Sequence, residues 1–195
     1  MHGLINRAIQ CFVQDSYGQD RWLEVTRLAG LELTEFEAML HYEDQVTNQL
    51  IQAAAQTIGA PPETVLEDIG TYLVSHPNVE ALRRLLRFGG VTFVEFLHSL
   101  DDLPDRARLA VDDLRLPQLE LREHTLHRFS LTCRHAQPGF GHVMMGVLRT
   151  LADDYGALVF LEFQGGGDQR EIIEITLIET AFAQGRSFEL GARAG

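Results

Sequence analysis

The chain has no lysine. All 16 of its basic residues are arginine, set against 28 acidic residues. This excludes a Schiff-base lysine, a lysine general base and the GxxxxGK(S/T) phosphate loop. The formal net charge of −12 opposes binding to nucleic acid or to an anionic membrane, since both need positive surface. Cysteine is scarce as well. Cys11 and Cys133 can build neither a disulfide framework nor a four-thiolate zinc centre, although their number allows one disulfide. No apolar run approaches the roughly 20 residues that span a bilayer. The opening MHGLINRAIQCF carries Arg7 and polar breaks, unlike a secretory signal. These absences predict a cytoplasmic protein with neither nucleic acid nor membrane as a partner. GxSxG, HExxH, CxxC and GxGxxG are also missing, so no standard catalytic set is present.

A hydrophobic share of 45% with 23% charged residues suits a globule with a sizeable core. Apolar residues at three- and four-residue spacing predict a helix over 3–16 and a short one from Trp22 to Leu28. Thr34 is expected to cap a short turn through Met39. Asp44 precedes the stripe Val46, Leu50, Ala53, Ala54 and Ile58, and Pro61-Pro62 opens a helix through Leu73. Further helical patterns cover Arg83–Phe88 and Phe93–Leu100. After Pro117 the period changes to two. Leu119 and Leu121 alternate with polar residues, as do Phe129, Leu131 and Cys133, which predicts two strands joined at His124–His127. Pro138-Gly139 introduces a helix bearing Phe140, Met144 and Leu151. Strands are expected over Val159–Phe163 and 171–178, with Gly165-Gly166-Gly167 as their turn. The fold class is therefore α+β, a helical lobe followed by a β-β-α-β-β lobe with an antiparallel sheet. A single domain over 1–180 is expected, its helical part covering about 1–112 and its sheet part about 113–180, with 181–195 as a tail.

The acidic pairs Asp101-Asp102, Asp112-Asp113 and Asp153-Asp154 read as helix caps and solvated faces, because adjacent side chains point in different directions. The eight histidines are scattered, and a metal site at His124 and His127 lacks a third ligand at useful spacing.

The whole-chain pattern resembles the heme nitric oxide/oxygen binding (H-NOX) domain family. The carrying residues are MHGLINRAI, Tyr17-Gly18 before Trp22, DQVTNQLIQAAAQTIG at 44–59 and EDIGTYLV at 67–74. Later come VEFLHSLDDL at 94–103, LRLPQLE at 114–120 and the helix start from Gly139 to Gly146. What carries the resemblance is their order and spacing over about 1–155, together with the β-β-α-β-β ending.

The resemblance implies a heme pocket, and the chain departs from the family at both of its anchors. The family's LDxLH motif, whose histidine holds the iron, corresponds here to Leu100-Asp101-Asp102-Leu103-Pro104. Proline offers iron no lone pair. Asp101 or Asp102 is expected to cap a helix with Pro104 in its first turn. The family's YxSxR motif, which binds the heme propionates, corresponds to Cys133, His135 and Gln137, with Arg134 one residue out of phase. Other pocket positions persist. Pro117 matches the proline that distorts the porphyrin, and Ile5 an apolar residue over the other face. Leu73 falls at an aromatic pocket position, and His142 where some oxygen-binding relatives carry a tyrosine. His142 is the one candidate iron ligand, while His98 lies six residues before Pro104 and off its face.

These correspondences imply a non-enzymatic sensor or regulatory module. It would signal to a separate protein, a histidine kinase or a cyclic-dinucleotide enzyme as in bacterial relatives. No cofactor is expected, and an apolar small molecule is the candidate occupant of the cavity. The alternative is a heme-binding NO/O2 sensor with a non-standard axial ligand such as His142. An enzyme built on Cys133 and His135 is the remaining reading, since both would share a strand face.

Overall fold

The computed structural model describes residues 1–135, 138–167 and 169–185. Eight α-helices are described: α1 (Gly3–Tyr17), α2 (Gln19–Leu28), α3 (Asp44–Ile58), α4 (Pro62–Ser75), α5 (Glu80–Arg87), α6 (Phe93–His98), α7 (Leu103–Ala110) and α8 (Phe140–Tyr155). The strands are β1 (Gln118–Thr125), β2 (Arg128–Arg134), β3 (Leu158–Gly167) and β4 (Arg170–Glu179). They form one antiparallel sheet in the order β1-β2-β4-β3. The α+β architecture read from the sequence is the one observed. None of the described helices is long and apolar enough to cross a membrane.

Local sequence explains most element ends. The Nδ1 of His2 accepts the amide of Leu4 at 3.2 Å and caps α1. A capping box between Thr92 and Glu95 starts α6, satisfying amides that the first turn leaves without partners. Pro62 occupies the first turn of α4, where its missing N–H costs nothing.

Several expectations are corrected. Residues 31–43 do contain a short turn at 38–39, closed by the Leu40 amide on the Glu37 carbonyl at 3.2 Å, but Thr34 does not cap it. They form an irregular segment in which Thr34 instead offers its carbonyl to the Trp22 indole at 2.7 Å. Gln10 holds the buried Phe36 by its amide at 3.0 Å. β1 runs on to Thr125, leaving a two-residue connection. Gly165 and Gly166 lie inside β3 rather than in a turn. The register there shifts between Phe163 and Gly166, and Gly165 takes a φ of +75°, a bulge that glycine permits. Asp154, read as a solvated acid, is buried and bonded to the Arg83 guanidinium at 2.7 Å.

Two buried apolar clusters meet at α4. One draws on α1–α4, with Phe12, Trp22, Leu50, Ile69 and Tyr72 among its members. The other runs from Val74 through α6, α7, α8 and the sheet, and includes Phe96, Leu100, Phe129, Leu131, Leu148 and Ile173. Helix α4 supplies both and lies directly against α8. A methyl group on Gly70 would come within 2.0 Å of the Val143 carbonyl oxygen, and one on Gly146 within 2.0 Å of the Glu67 carbonyl oxygen. Backbones approach this closely only where neither helix carries a side chain at the crossing.

Candidate functional site

Pro104 lies in the first turn of α7 and is half-buried. Asp102 occupies the cap position in a helical conformation but makes no side-chain cap bond, and Asp101 does not cap either. Asp101 turns away and accepts the amide of Leu121 at 2.6 Å. The physical reason is that β1 is an edge strand, whose outward N–H groups have no strand partner. Pro104 borders a cleft of about 530 Å³, whose charged walls include Asp105, Arg108, Arg115 and Arg134. Leu116 and Leu119 line the same cleft, and the proline ring offers no lone pair to a metal.

Cys133 and His135, which the resemblance matches to the propionate motif, lie in different surroundings. Cys133 is only 2% exposed, inside the sheet-side cluster. Burial, with a smaller push from the Glu171 carboxylate, drives its thiol up to about 12. β2 ends at Arg134, so His135 falls beyond the strand, where its amide bonds to the Gln169 carbonyl at 3.0 Å and its residue borders an open cleft. The structure thus places Cys133 in the core and His135 at a cleft wall, which removes the basis for a nucleophile–base pair. Arg134 reaches across to Glu120 at 3.1 Å. Gln137 lies outside the described residues.

This burial carries a prediction. Alkylation proceeds through the thiolate. In a Cys11→Ser background, Cys133 is expected to react about a thousandfold more slowly at pH 8 than an unperturbed thiol. Iodoacetamide labelling followed by intact mass checks this, and labelling at the free-thiol rate in the folded protein contradicts it.

The remaining pocket positions are spread out. Pro117 is buried just before β1, Leu73 is half-buried against the α1–α4 cluster, and Ile5 is half-buried on α1. His142 stands in the first turn of α8. Its ring centroid is 4.1 Å from that of Phe163, and its Nδ1 lies 3.5 Å from Glu67, which also takes Arg149 at 3.1 Å. That Nδ1 is buried and makes no hydrogen bond. His142 and His135 both border a cavity of about 620 Å³, with Ile51, Leu66 and Phe163 on its apolar side. His98 is half-exposed and pairs with Glu123 at 3.2 Å, away from this cavity.

One residue at this cavity was missed in the sequence. Glu171 accepts the amides of Gly139 and Gly141 at 2.6 and 2.7 Å. A helix N-terminus is a natural anion site, and α8 fills its own with a carboxylate from β4. The only sequence hint was an acid at the start of the expected strand 171–178.

The residues present do not fit an iron porphyrin held in the manner the resemblance implies. The residue that the resemblance matches to the axial histidine is a pyrrolidine ring beside a charged cleft. The residue matched to the first propionate position is a buried thiol, and the helix start beside the cavity is already occupied by Glu171.

The fold has close counterparts among solved H-NOX proteins. An Fe(II) unliganded H-NOX protein from K. algicida superposes with a TM-score of 0.80 at 16% identity, over 94% of this chain and 100% of that one. An H-NOX variant from S. oneidensis in the Fe(II) state gives 0.78 at 16% identity, over 92% and 97%. In sequence, the chain is 26% identical over 154 residues to the soluble guanylate cyclase gcy-31 of Caenorhabditis elegans, covering 79% of this chain and 22% of that protein. It is 20% identical to the soluble guanylate cyclase 89Da of Drosophila melanogaster, over 81% and 24%. The chain thus spans about a quarter of the length of these relatives. The pattern that defines the Haem-NO-binding family matches residues 2–162, and the chain belongs to that family.

Proposed function

We propose that this chain is a non-enzymatic H-NOX-like sensor or regulatory module that works without heme and passes its signal to a separate protein. The observation that carries this reading is Pro104, seated in the first turn of α7 against a charged cleft. The partner class that fits is a histidine kinase or a cyclic-dinucleotide enzyme. The candidate ligand is a small, largely apolar molecule in the cavity beside His142, where Ile51, Leu66 and Phe163 supply the apolar wall. α4 contributes to both buried clusters, so a change beside α4 and α8 would be felt in both lobes.

A second reading has one observation in its favour: the buried Nδ1 of His142 has no hydrogen-bond partner. In that reading the chain keeps heme through His142 as an NO/O2 sensor. One experiment separates the two. Protein expressed with ample heme and passed through gel filtration is expected to show no stoichiometric Soret band. A stoichiometric band that disappears in His142→Ala establishes the second reading. A band unaffected by that substitution overturns both, since iron would then have another ligand.

A further inference from the structure

We propose that His2, His41 and Asp113 form a binding site for one divalent transition-metal cation, Zn2+ by the chemistry of its donors. The site would tie the N-terminal lobe to the segment that enters the sheet. It does not depend on the heme question.

The three residues come from three parts of the chain. His2 caps α1, His41 lies in the irregular segment between α2 and α3, and Asp113 follows α7. His2 and His41 are opposite each other in an isolated antiparallel bridge. The flanking bonds run from the Gly3 amide to the Leu40 carbonyl at 2.7 Å and from the Tyr42 amide to the Met1 carbonyl at 2.9 Å. The pair itself therefore exchanges no backbone bond. This is the closely spaced kind of antiparallel pair, whose side chains lie nearest one another. The two imidazoles accordingly meet edge to face, 5.1 Å apart.

The Asp113 carboxylate closes the third side. Its two oxygens lie 3.1 Å from His2 Nε2 and 3.7 Å from His41 Nε2. One ligand atom from each residue falls within 4.8 Å of the others. A cation about 2.0–2.2 Å from each donor places tetrahedral ligands roughly 3.4 Å apart, so small rotations complete the set. Two imidazoles and one carboxylate with an open fourth position for water suit Zn2+ and its neighbours, whereas Mg2+ prefers an all-oxygen octahedron.

Accessibility favours capture. The His2 side chain is 3% exposed and fixed, while those of His41 and Asp113 are 58% and 51% exposed, open to a hydrated ion and free to adjust. The nearby Met1 ammonium is already paired with Asp44 at 2.7 Å, which blunts its repulsion of a cation. Binding has one internal cost. His2 Nδ1 accepts the Leu4 amide, so the neutral ring carries its proton on Nε2 and donates to Asp113. Coordination through Nε2 moves that proton to Nδ1, and the cap bond to Leu4 is given up for the metal bond.

The test uses the full chain, tag-free and stripped with EDTA. Zn2+ is titrated calorimetrically, and Co2+ by its visible absorption. The expected result is one ion per chain, with a melting temperature that rises on adding Zn2+. His41→Ala and Asp113→Asn are each expected to weaken binding by about tenfold or more. Both should melt close to the metal-free wild type in EDTA, which shows that they fold. Mg2+ should produce no signal. Absence of saturable Zn2+ binding overturns the proposal, as does binding that survives both substitutions unchanged.

Discussion

Replacing Gly70 with alanine is expected to destabilise the fold by about 1–2 kcal/mol, the net of two opposed effects. Alanine is the better helix former by roughly 1 kcal/mol, so at an exposed position the change would stabilise. At this position the new methyl group would lie 2.0 Å from the Val143 carbonyl oxygen and 2.9 Å from its carbon. The obstruction is backbone, which cannot rotate aside as a side chain would. The helices must separate, and overpacking of this kind costs about 1–3 kcal/mol and sometimes more. Gly146→Ala is expected to act alike, because its methyl would strike the Glu67 carbonyl at 2.0 Å. The double variant should cost less than the sum of the two, since one separation of α4 from α8 makes room for both methyl groups. Chemical denaturation of the two single variants and the double variant measures this. A stabilised Gly70→Ala protein would mean that the helices do not touch at this crossing.

This crossing also shows what the sequence made legible. The segments EDIGTYLV and Gly139–Gly146 were recognisable as family segments, and each holds one of the two glycines. Their mutual contact depends on tertiary placement that no single helix encodes. Alternation gave β1, β2 and β3 because the sheet has one face against α8 and the core, so period two survives in the residues. Asp101 was read as a cap because carboxylates next to a helix start usually are. The competing partner was the unpaired edge of β1, which lies twenty residues later. The same limit applies to His2 and Asp113, separated by 111 positions. Each is an unremarkable polar residue in its local window, and their pairing exists only once the first strand-like bridge and the α7–β1 connection have formed.

Asp154→Ala is expected to destabilise by about 3 kcal/mol, the low end for breaking a buried ion pair. Asp153-Asp154 was read as a cap or a solvated face because adjacent side chains point in different directions, and of the two it is Asp154 that turns inward near the end of α8. A carboxylate there faces the negative end of the helix dipole and lies in a side-chain environment only 2% exposed. Such a group persists because Arg83 from α5 meets it at 2.7 Å. Removing the acid leaves a guanidinium whose side chain is 19% exposed with less compensation, though enough access to water to keep the loss moderate. A chain of this size loses about 2–4 °C of melting temperature per kcal/mol, so a fall of roughly 6–12 °C is expected. The double variant Arg83→Met with Asp154→Leu should recover most of it, because well-packed apolar residues often replace a buried ion pair at little cost. If the double variant is as unstable as Asp154→Ala, the contribution lies in contacts other than the Arg83 pair. If Asp154→Ala melts with the wild type, α5 is not held to α8 through this carboxylate.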